Sequence, residues 1–306
     1  MLLCLACLLL TGCGAITTKG EQGKPLYSVV DSFGNRVIFT AKPQRIVSLN
    51  TSIDEILLDL VPAERIQGLT HLVDDPSISC AVEKAKQIKS RVYGGNFEAI
   101  VALNPDLVLA ASFMGPGYCD ALKAAGLKVV TCTSANTVQE IMAFINQVAD
   151  AVGEKERGRE MTAKLQRDLE AVREKALAKH QGKMLRVLAL STMGIMGPEG
   201  PFNDLCHYAG IRNALAEKNV PAQAVLSEEL LLELNPDVLF MPSWDYTKKK
   251  DVDGFAKKIL ENPLYKNVEA VKHKRFYKLH DQYLYSTSQY TLKAVEEMAK
   301  LCYNIE

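Results

Sequence analysis

Residues 98–113 read EAIVALNPDLVLAASF, and residues 229–244 read ELLLELNPDVLFMPSW. The two segments match in register and lie 131 positions apart. In each, the proline cannot continue the preceding helix, and it disfavours the helical conformation of the asparagine before it. A short amphipathic helix is therefore predicted to end at Asn104 and at Asn235, and an apolar strand to follow each. The repeat predicts two equivalent α/β lobes.

Short apolar runs alternate with helical patterns on both sides of this repeat. Strands are predicted at residues 45–49, 65–70, 106–110 and 128–131, and again at 185–190, 237–241 and 275–279. Helices are predicted at 54–60, 138–152, 227–234 and 291–301, and a β-hairpin at 27–40. Strands that alternate with helices are typical of a parallel sheet covered on its faces by helices.

A long helical pattern separates the two halves, at residues 154–180. Its apolar positions recur at spacings of three and four, whereas its other faces carry mixed charge. At 1.5 Å per residue such a helix is about 40 Å long, which suits a strut across two lobes. A coiled coil is the alternative, but the apolar seam covers barely two heptads. We expect an N-terminal lobe at 27–152, an interlobe helix at 153–181 and a C-terminal lobe at 182–306.

The N-terminus indicates export. Residues 1–10, MLLCLACLLL, are too short to span a bilayer and suit the core of a secretory signal. The tetrapeptide LTGC at 10–13 looks like a bacterial lipobox, which predicts a signal peptide at 1–12, lipidation of Cys13 and a tether at 13–26. A buried N-terminal helix is the alternative. The usual basic residues at the start are absent, which leaves an upstream start codon open.

Composition and motifs exclude several functions. Lys+Arg and Asp+Glu are both 36, so no basic field favours nucleic acid. The chain has no phosphate-binding loop, no H-E-x-x-H, no G-x-S-x-G, and no G-x-G-x-x-G after a strand, and no catalytic residue is predicted. The cysteines follow no zinc or haem-attachment spacing, and three or more His, Asp or Glu ligands for a bare metal ion cannot be assembled.

The order of several motifs resembles a known family. They are PQRIVSL at 43–49, DEIL at 54–57, the helix–NPD–strand unit, the long central helix and AGIRN at 209–213. The chain is similar, over about residues 29–303, to the substrate-binding proteins that feed ABC importers of iron–siderophore complexes, haem and vitamin B12. The resemblance implies an α/β fold with two Rossmann-like lobes joined by a single long rigid helix, the class III periplasmic-binding-protein fold.

The resemblance also gives the repeat a role in docking. In the vitamin B12-binding member, one surface glutamate per lobe stands just ahead of the helix–proline unit and pairs with arginine on the importer. Glu98 and Glu229 occupy the matching positions. The alternative is that each carboxylate only caps or starts its helix. The expected partners are an ABC permease with its ATPase, and the membrane through the lipid anchor on its extracytoplasmic face; the chain is expected to be a monomer.

Ligands of open α/β sheets bind outside the carboxyl ends of the strands. The residues expected to line an interlobe cleft are Asn50, Thr51, His71, Tyr93, Phe113, Met114, Met193, Trp244, Tyr246, Tyr283 and Tyr285. Few cations converge there, whereas aromatic and methionine side chains suit a flat or bulky ligand. We expect a transported metal chelate, iron–siderophore or haem, with no resident cofactor. Cobalamin is one alternative, and a surface lipoprotein without a transport role is another.

Overall fold

The computed structural model describes residues 24–180, 182–191, 194–196, 200–216, 218, 226–243 and 251–305. The predicted signal peptide and Cys13 lie outside these residues. The described chain starts with an antiparallel hairpin of β1 (Tyr27–Val30) and β2 (Arg36–Phe39). It confirms the hairpin predicted at 27–40.

A five-stranded parallel sheet follows. Its strands are β3 (Ile46–Ser48), β4 (Ile66–Thr70), β5 (Arg91–Val92), β6 (Leu107–Ala111) and β7 (Val129–Cys132), in the order β5-β4-β3-β6-β7. The helices of this lobe are α1 (Thr51–Leu60), α2 (Val82–Ala85), α3 (Phe97–Ala102), α4 (Pro116–Ala124) and α5 (Val138–Ala151). Apolar residues of α1 and α5 pack on one face of the sheet, and those of α3 and α4 on the other.

The second lobe repeats this plan. Its strands are β8 (Arg186–Ser191), β9 (Gly194–Ile195), β10 (Arg212–Asn213), β11 (Val238–Pro242) and β12 (Phe276–Leu279). The parallel order is β10-β8-β11-β12, and β9 pairs antiparallel with β8. Its helices are α7 (Phe202–Tyr208), α8 (Glu228–Leu234), α9 (Val252–Leu260), α10 (Glu269–Lys272), α11 (Asp281–Leu284) and α12 (Thr291–Tyr303).

The duplicated unit has the same backbone conformation in both lobes. Asn104 and Asn235 adopt left-handed φ values of 47° and 41°, and α3 and α8 end within two residues of these predicted positions. Asparagine tolerates this conformation better than most residues. Each helix is followed by a buried strand, β6 or β11, that lies beside the first strand of its own sheet.

Side chains of the repeat also make equivalent contacts. The carboxylate of Asp106 accepts hydrogen bonds from the backbone N–H of Arg45 (2.9 Å), just ahead of β3. The carboxylate of Asp237 accepts one from the backbone N–H of Arg186 (2.9 Å), at the start of β8. The side chains of the two arginines also bind the end of the preceding helix. Arg45 donates to the carbonyl of Asn104 (2.6 Å) and Arg186 to that of Leu234 (2.7 Å). The aspartate of each unit therefore fixes its strand against the first strand of the lobe.

The helix α6 (Lys155–Lys179) joins the lobes as predicted. Its buried residues include Leu165, Leu169 and Ala176, and one continuous apolar cluster runs through them from the first lobe into the second. Two glycines allow close packing near its ends. A Cβ at Gly158 would collide with the Cβ of Ala149 in α5, and a Cβ at Gly210 of the second lobe would lie 2.7 Å from that of Ala176.

Replacing Gly158 by alanine is expected to destabilise the protein by about 1–3 kcal/mol, because the new methyl group overpacks the α5–α6 crossing. Gly117, in the exposed part of α4, has no heavy atom within 4 Å of the position of an added Cβ and is the matched control. Gly117→Ala should be neutral or slightly stabilising, as expected for alanine in a helix. Urea unfolding followed by circular dichroism measures both. Equal effects of the two substitutions would contradict the assigned packing.

A second contact joins the lobes beside α6. We call it the α1 interlobe contact, formed by Ser52, Glu55 and Asp59 of α1 with residues 286–290. The buried carboxylate of Glu55 accepts hydrogen bonds from the hydroxyls of Ser286 (3.0 Å) and Ser288, and from the backbone N–H of Cys80 (2.7 Å). The hydroxyls of Thr287 and Ser52 lie 2.8 Å apart, and the Gln289 amide donates to Asp59 (2.9 Å). Spacings of three and four place the three α1 residues on one face of the helix.

Candidate functional site

The site is built from the segments that follow the parallel strands. After β3, the side chain of Asn50 accepts a hydrogen bond from the backbone N–H of Ile53 (3.1 Å) and caps the N-terminus of α1. Thr51 is the first residue of that helix. The oxygen of Asn50 is therefore used by the helix, and this residue mainly fixes how the chain leaves β3.

His71 and Tyr93 form an aromatic pair at the ends of β4 and β5. Their rings stack with centroids 4.3 Å apart and planes 20° apart. Tyr93 is exposed, whereas Nδ1 of His71 is buried and has no hydrogen-bond partner among the described residues. Because β4 and β5 are neighbours in the sheet, two predicted cleft residues that are distant in sequence form one aromatic stack, with Tyr93 exposed.

The arginine next to this pair is engaged by the protein itself. Arg91 makes a two-pronged ion pair with Asp74, with both N···O distances 2.7 Å. It also donates to the carbonyls of Ala85 (3.0 Å) and Ile88 (2.6 Å). The hydrogen bond from Arg91 holds the pKa of the Asp74 carboxyl below its usual value. This guanidinium therefore orders the loop beside the aromatic pair.

The segment after β6 places its two predicted residues differently. A short 3-10 helix at Ser112–Met114 leaves Phe113 exposed, whereas Met114 packs partly buried against the core under α3 and α4. The hydroxyl of Ser112 lies 3.0 Å from that of Ser134, which ties together the segments after β6 and β7. Phe113 is available to a ligand, and Met114 supports the fold.

In the second lobe, Tyr285 lies near the end of β8. Its phenol hydrogen-bonds Ser191, the last residue of that strand, and its ring is exposed. The ends of β11 and β12 are tied together because Ser243 donates from both its backbone N–H (2.7 Å) and its hydroxyl (2.9 Å) to Asp281. These contacts hold the carboxyl edge of the second sheet in place.

Tyr283 lies in α11, directly after β12, and its predicted place in the cleft stays a prediction. Its ring packs against the core and His280, with the ammonium of Lys293 5.3 Å from its centroid. It lines a groove between α6 and α12. Met193, Trp244 and Tyr246 lie outside the described residues, so their predicted place in the cleft stays a prediction.

Two buried acids lie behind the site and were missed as features of it. Asp54 is fully buried and accepts hydrogen bonds from the backbone N–H (3.1 Å) and hydroxyl (2.6 Å) of Thr70, the last residue of β4. Burial raises the pKa of Asp54 well above its ordinary value. Burial also raises the pKa of its neighbour Glu55, opposed by hydrogen bonds from Ser288 and others. The signal in the sequence was a pair of acids inside an apolar helix.

The raised pKa of Asp54 predicts a pH-dependent stability difference. The folded chain favours the protonated acid, so the stability that this contributes is present below the unfolded pKa of about 4 and is lost as the pH rises toward the folded pKa. Asp54→Asn removes this titration. The unfolding free energy of the variant minus that of the native chain should therefore increase with pH above about 4, measured by urea titration. A difference that stays constant with pH would contradict the assignment.

The glutamates of the repeat are exposed, in the first turns of α3 and α8. They are not the helix caps. The side chain of Asn96 accepts from the backbone N–H of Ala99 (3.0 Å), and that of Ser227 accepts from the backbone N–H of Leu230 (3.1 Å). Neither Glu98 nor Glu229 forms an ion pair with another described residue. Both carboxylates therefore face solvent, one on each lobe.

Within the described ranges, no three His, Cys, Asp or Glu residues are grouped so that they could hold a metal ion. Among the helices in the same ranges, none combines the length and apolar character needed to cross a membrane.

Two α/β lobes joined by a single long helix define the class III architecture of solute-binding proteins. Residues 46–283 match the family model described as periplasmic binding protein, and the chain belongs to this family. The family consists of binding proteins for transport. Relatives of this chain are ABC transporter substrate-binding proteins for ligands of the iron, haem and vitamin B12 type.

The relatives match most of the chain. An uncharacterised ABC transporter substrate-binding lipoprotein of Bacillus subtilis, YvrC, is 27% identical and covers 98% of this chain and 95% of its own length. The Fe(3+)-citrate-binding protein YfmC of the same organism is 23% identical over 90% of this chain and 86% of its own. The periplasmic haem-binding protein RhuT of Roseiflexus, solved in its apo form, superposes with a TM-score of 0.71 at 26% identity, covering 85% of this chain and 98% of RhuT.

Proposed function

We propose that this protein captures a chelated metal complex, an iron–siderophore or haem, between its lobes and delivers it to an ABC permease. The observation that carries the proposal is the stacked pair of His71 and Tyr93 at the carboxyl edge of the first sheet. An exposed aromatic surface suits a flat or bulky ligand, because it adds apolar area and ring stacking. Two further exposed aromatic residues supply additional aromatic area: Phe113 follows a strand of the first sheet, and Tyr285 follows the last strand of the second sheet.

The charges near the pair support a ligand without many anionic groups. A strongly anionic chelate is usually held by converging arginine or lysine side chains. Arg91 is used by Asp74 and three backbone carbonyls. Independently of charge, the names of the relatives point to a metal chelate, since they include ferric citrate and haem. Cobalamin is the second candidate, favoured by a more distant relative named as a cobalamin-binding protein.

The proposed location is the extracytoplasmic face of the membrane, through a lipid on Cys13. The lipobox-like tetrapeptide at residues 10–13 supports this proposal, as does the name lipoprotein of the full-length relative. The proposed docking residues are Glu98 and Glu229. Their exposure on two separate lobes suits contact with arginine or lysine on a permease, an arrangement that favours orientation and encounter rate.

Absorption spectroscopy tests the ligand class directly. The purified chain is titrated with haemin, with ferric complexes of a hydroxamate and a catecholate siderophore, with ferric citrate and with cyanocobalamin. We expect saturable binding of haemin or of one ferric chelate, seen as a change in its characteristic bands. Saturable binding of cyanocobalamin alone would establish the second candidate, and binding of none of these probes would contradict the proposed function.

Removing the aromatic pair tests the site. His71→Ala and Tyr93→Ala are each expected to weaken affinity for the identified chelate by about tenfold, because each removes one ring of the stack. Phe33 is the matched control, since it is an exposed aromatic residue in the β1–β2 turn, beside the opposite edge strand β7. Phe33→Ala should bind like the native chain. Unchanged affinity in both site variants would place the ligand elsewhere.

A further inference from the structure

The internal repeat shows which exposed positions of α3 and α8 keep the same chemistry in both lobes. Within the repeated segments 98–104 and 229–235, the exposed positions are 98, 101, 102 and 104 in the first lobe, and 229, 232, 233 and 235 in the second. Position 102 is alanine whereas the equivalent position 233 is glutamate, so exposed positions of the two helices do not always keep the same chemistry. The glutamates, the apolar residues Val101 and Leu232, and the asparagines remain alike.

The structure explains the asparagines but not the apolar residues. Asn104 and Asn235 adopt left-handed backbone conformations, which favour asparagine. Neither backbone conformation nor core packing accounts for the apolar side chains of Val101 and Leu232. They are 41% and 44% exposed and do not pack against the hydrophobic core of their lobe. Exposed apolar residues scattered singly are ordinary. Here two exposed apolar residues occupy equivalent positions in the two lobes, and each lies three residues after an exposed glutamate. The same small surface is therefore present in both lobes.

Each apolar residue lies on the same side of its helix as the glutamate. Glu98 and Val101 are three residues apart, as are Glu229 and Leu232. Side chains at this spacing are neighbours on a helix surface, with their Cβ atoms about 5–6 Å apart. Each lobe therefore presents one docking patch, defined as Glu98 with Val101 in the first lobe and Glu229 with Leu232 in the second.

We infer that Val101 and Leu232 are the apolar anchors of the two docking patches and become buried against the permease. This inference rests on the proposed docking role of the glutamates and extends it. A partner that fits has two like sites, each with a cationic side chain next to an apolar contact. Such pairing suits an interface, because the apolar anchor supplies affinity while the charge supplies orientation.

The charges favour a protein partner over a lipid surface. An anionic bilayer would repel Glu98 and Glu229, whereas segments that bind such membranes carry clustered lysine and arginine. A lipid surface is therefore the outcome that the experiment below has to separate from the permease.

The test measures binding of the full chain to its cognate permease–ATPase complex in nanodiscs by biolayer interferometry. The variant Val101→Ser/Leu232→Ser removes the apolar groups without adding charge. We expect its affinity to fall by about 30-fold, as for loss of two partly buried apolar side chains. Ile38 and Met184 are the matched controls, since they are 48% and 37% exposed and lie at the amino ends of the two sheets. Ile38→Ser/Met184→Ser should bind normally.

The remaining outcomes separate this inference from the proposal beneath it. If Glu98→Lys/Glu229→Lys loses binding but the serine variant binds like its control, the apolar anchors are wrong and docking through the glutamates stands. If neither variant loses binding, both are wrong, while affinity for the chelate still tests the proposed function separately. If the serine variant instead loses binding to anionic phosphatidylglycerol vesicles and keeps binding to the permease complex, the surface contacts lipid and the inference is overturned.

Discussion

Reversing the charge of both Glu98 and Glu229 to lysine is expected to abolish ligand-stimulated ATP hydrolysis by the importer. The reason is that two attractive pairs with permease cations become two repulsive ones, so association should weaken by at least about 100-fold. Affinity for the chelate should not change, because both glutamates are exposed and neither forms a hydrogen bond or ion pair with His71 or Tyr93. ATPase activity in proteoliposomes and ligand titration measure the two effects separately.

The control for this prediction carries the same change in net charge. Glu160 and Glu174 are exposed on α6, away from α3 and α8. Glu160→Lys/Glu174→Lys should leave stimulation close to that of the native chain. Stimulation that survives in the Glu98/Glu229 variant would show that the permease contacts another surface. Equal loss in both variants would show that only the overall charge matters.

Removing the carboxylate of Glu55 is expected to have the largest effect on stability. Glu55→Ala should lower the free energy of unfolding by about 3 kcal/mol or more. It leaves the hydroxyls of Ser286 and Ser288 and the backbone N–H of Cys80 without their acceptor in a buried contact between lobes. Glu55→Gln keeps the shape and one acceptor oxygen, so its effect should be smaller. Urea denaturation of both variants measures the difference.

Exposed Glu64, next to the N-terminal sheet, provides the control, and Glu64→Ala should change stability little. Ligand affinity is a second readout, because the α1 interlobe contact fixes how the two sheet edges face each other. Glu55→Gln should therefore weaken chelate binding even at temperatures where it remains folded. A Glu55→Ala variant as stable as the native chain would mean that the contact contributes nothing to holding the lobes.

The sequence predicted the parts of the fold that depend on local pattern. The strands at 45–49, 65–70, 106–110 and 128–131 and the helix at 154–180 are confirmed, with no end shifted by more than one residue. Their apolar runs are long enough to show a period. The strands β5 and β10 have two residues each and show no period, so they were not predicted.

Contacts between distant segments could not be predicted in the same way. The serines that bind Glu55 lie more than 200 residues from it, and no local pattern links them. Tyr283 and Tyr285 also differ in ways that a local pattern does not show. Residues 283 and 285 were expected on one loop, but Tyr283 lies in the helical turn α11 and Tyr285 directly follows it. Side chains two positions apart in a helix do not face the same way, so Tyr283 packs against the core whereas Tyr285 is exposed.

The way α6 packs on both lobes has a consequence for the covalent link between them. Gly182 follows α6 with a left-handed φ of 83° and no heavy atom near the position of an added Cβ, so the chain passes here without packing. A cut at this point would leave α6 on the first fragment, with its apolar stripe still complementary to α7 and α12 of the second. The peptide bond at this point then serves mainly to keep the two halves at a high effective concentration relative to each other. The two separate fragments should therefore reassemble as a complementing pair.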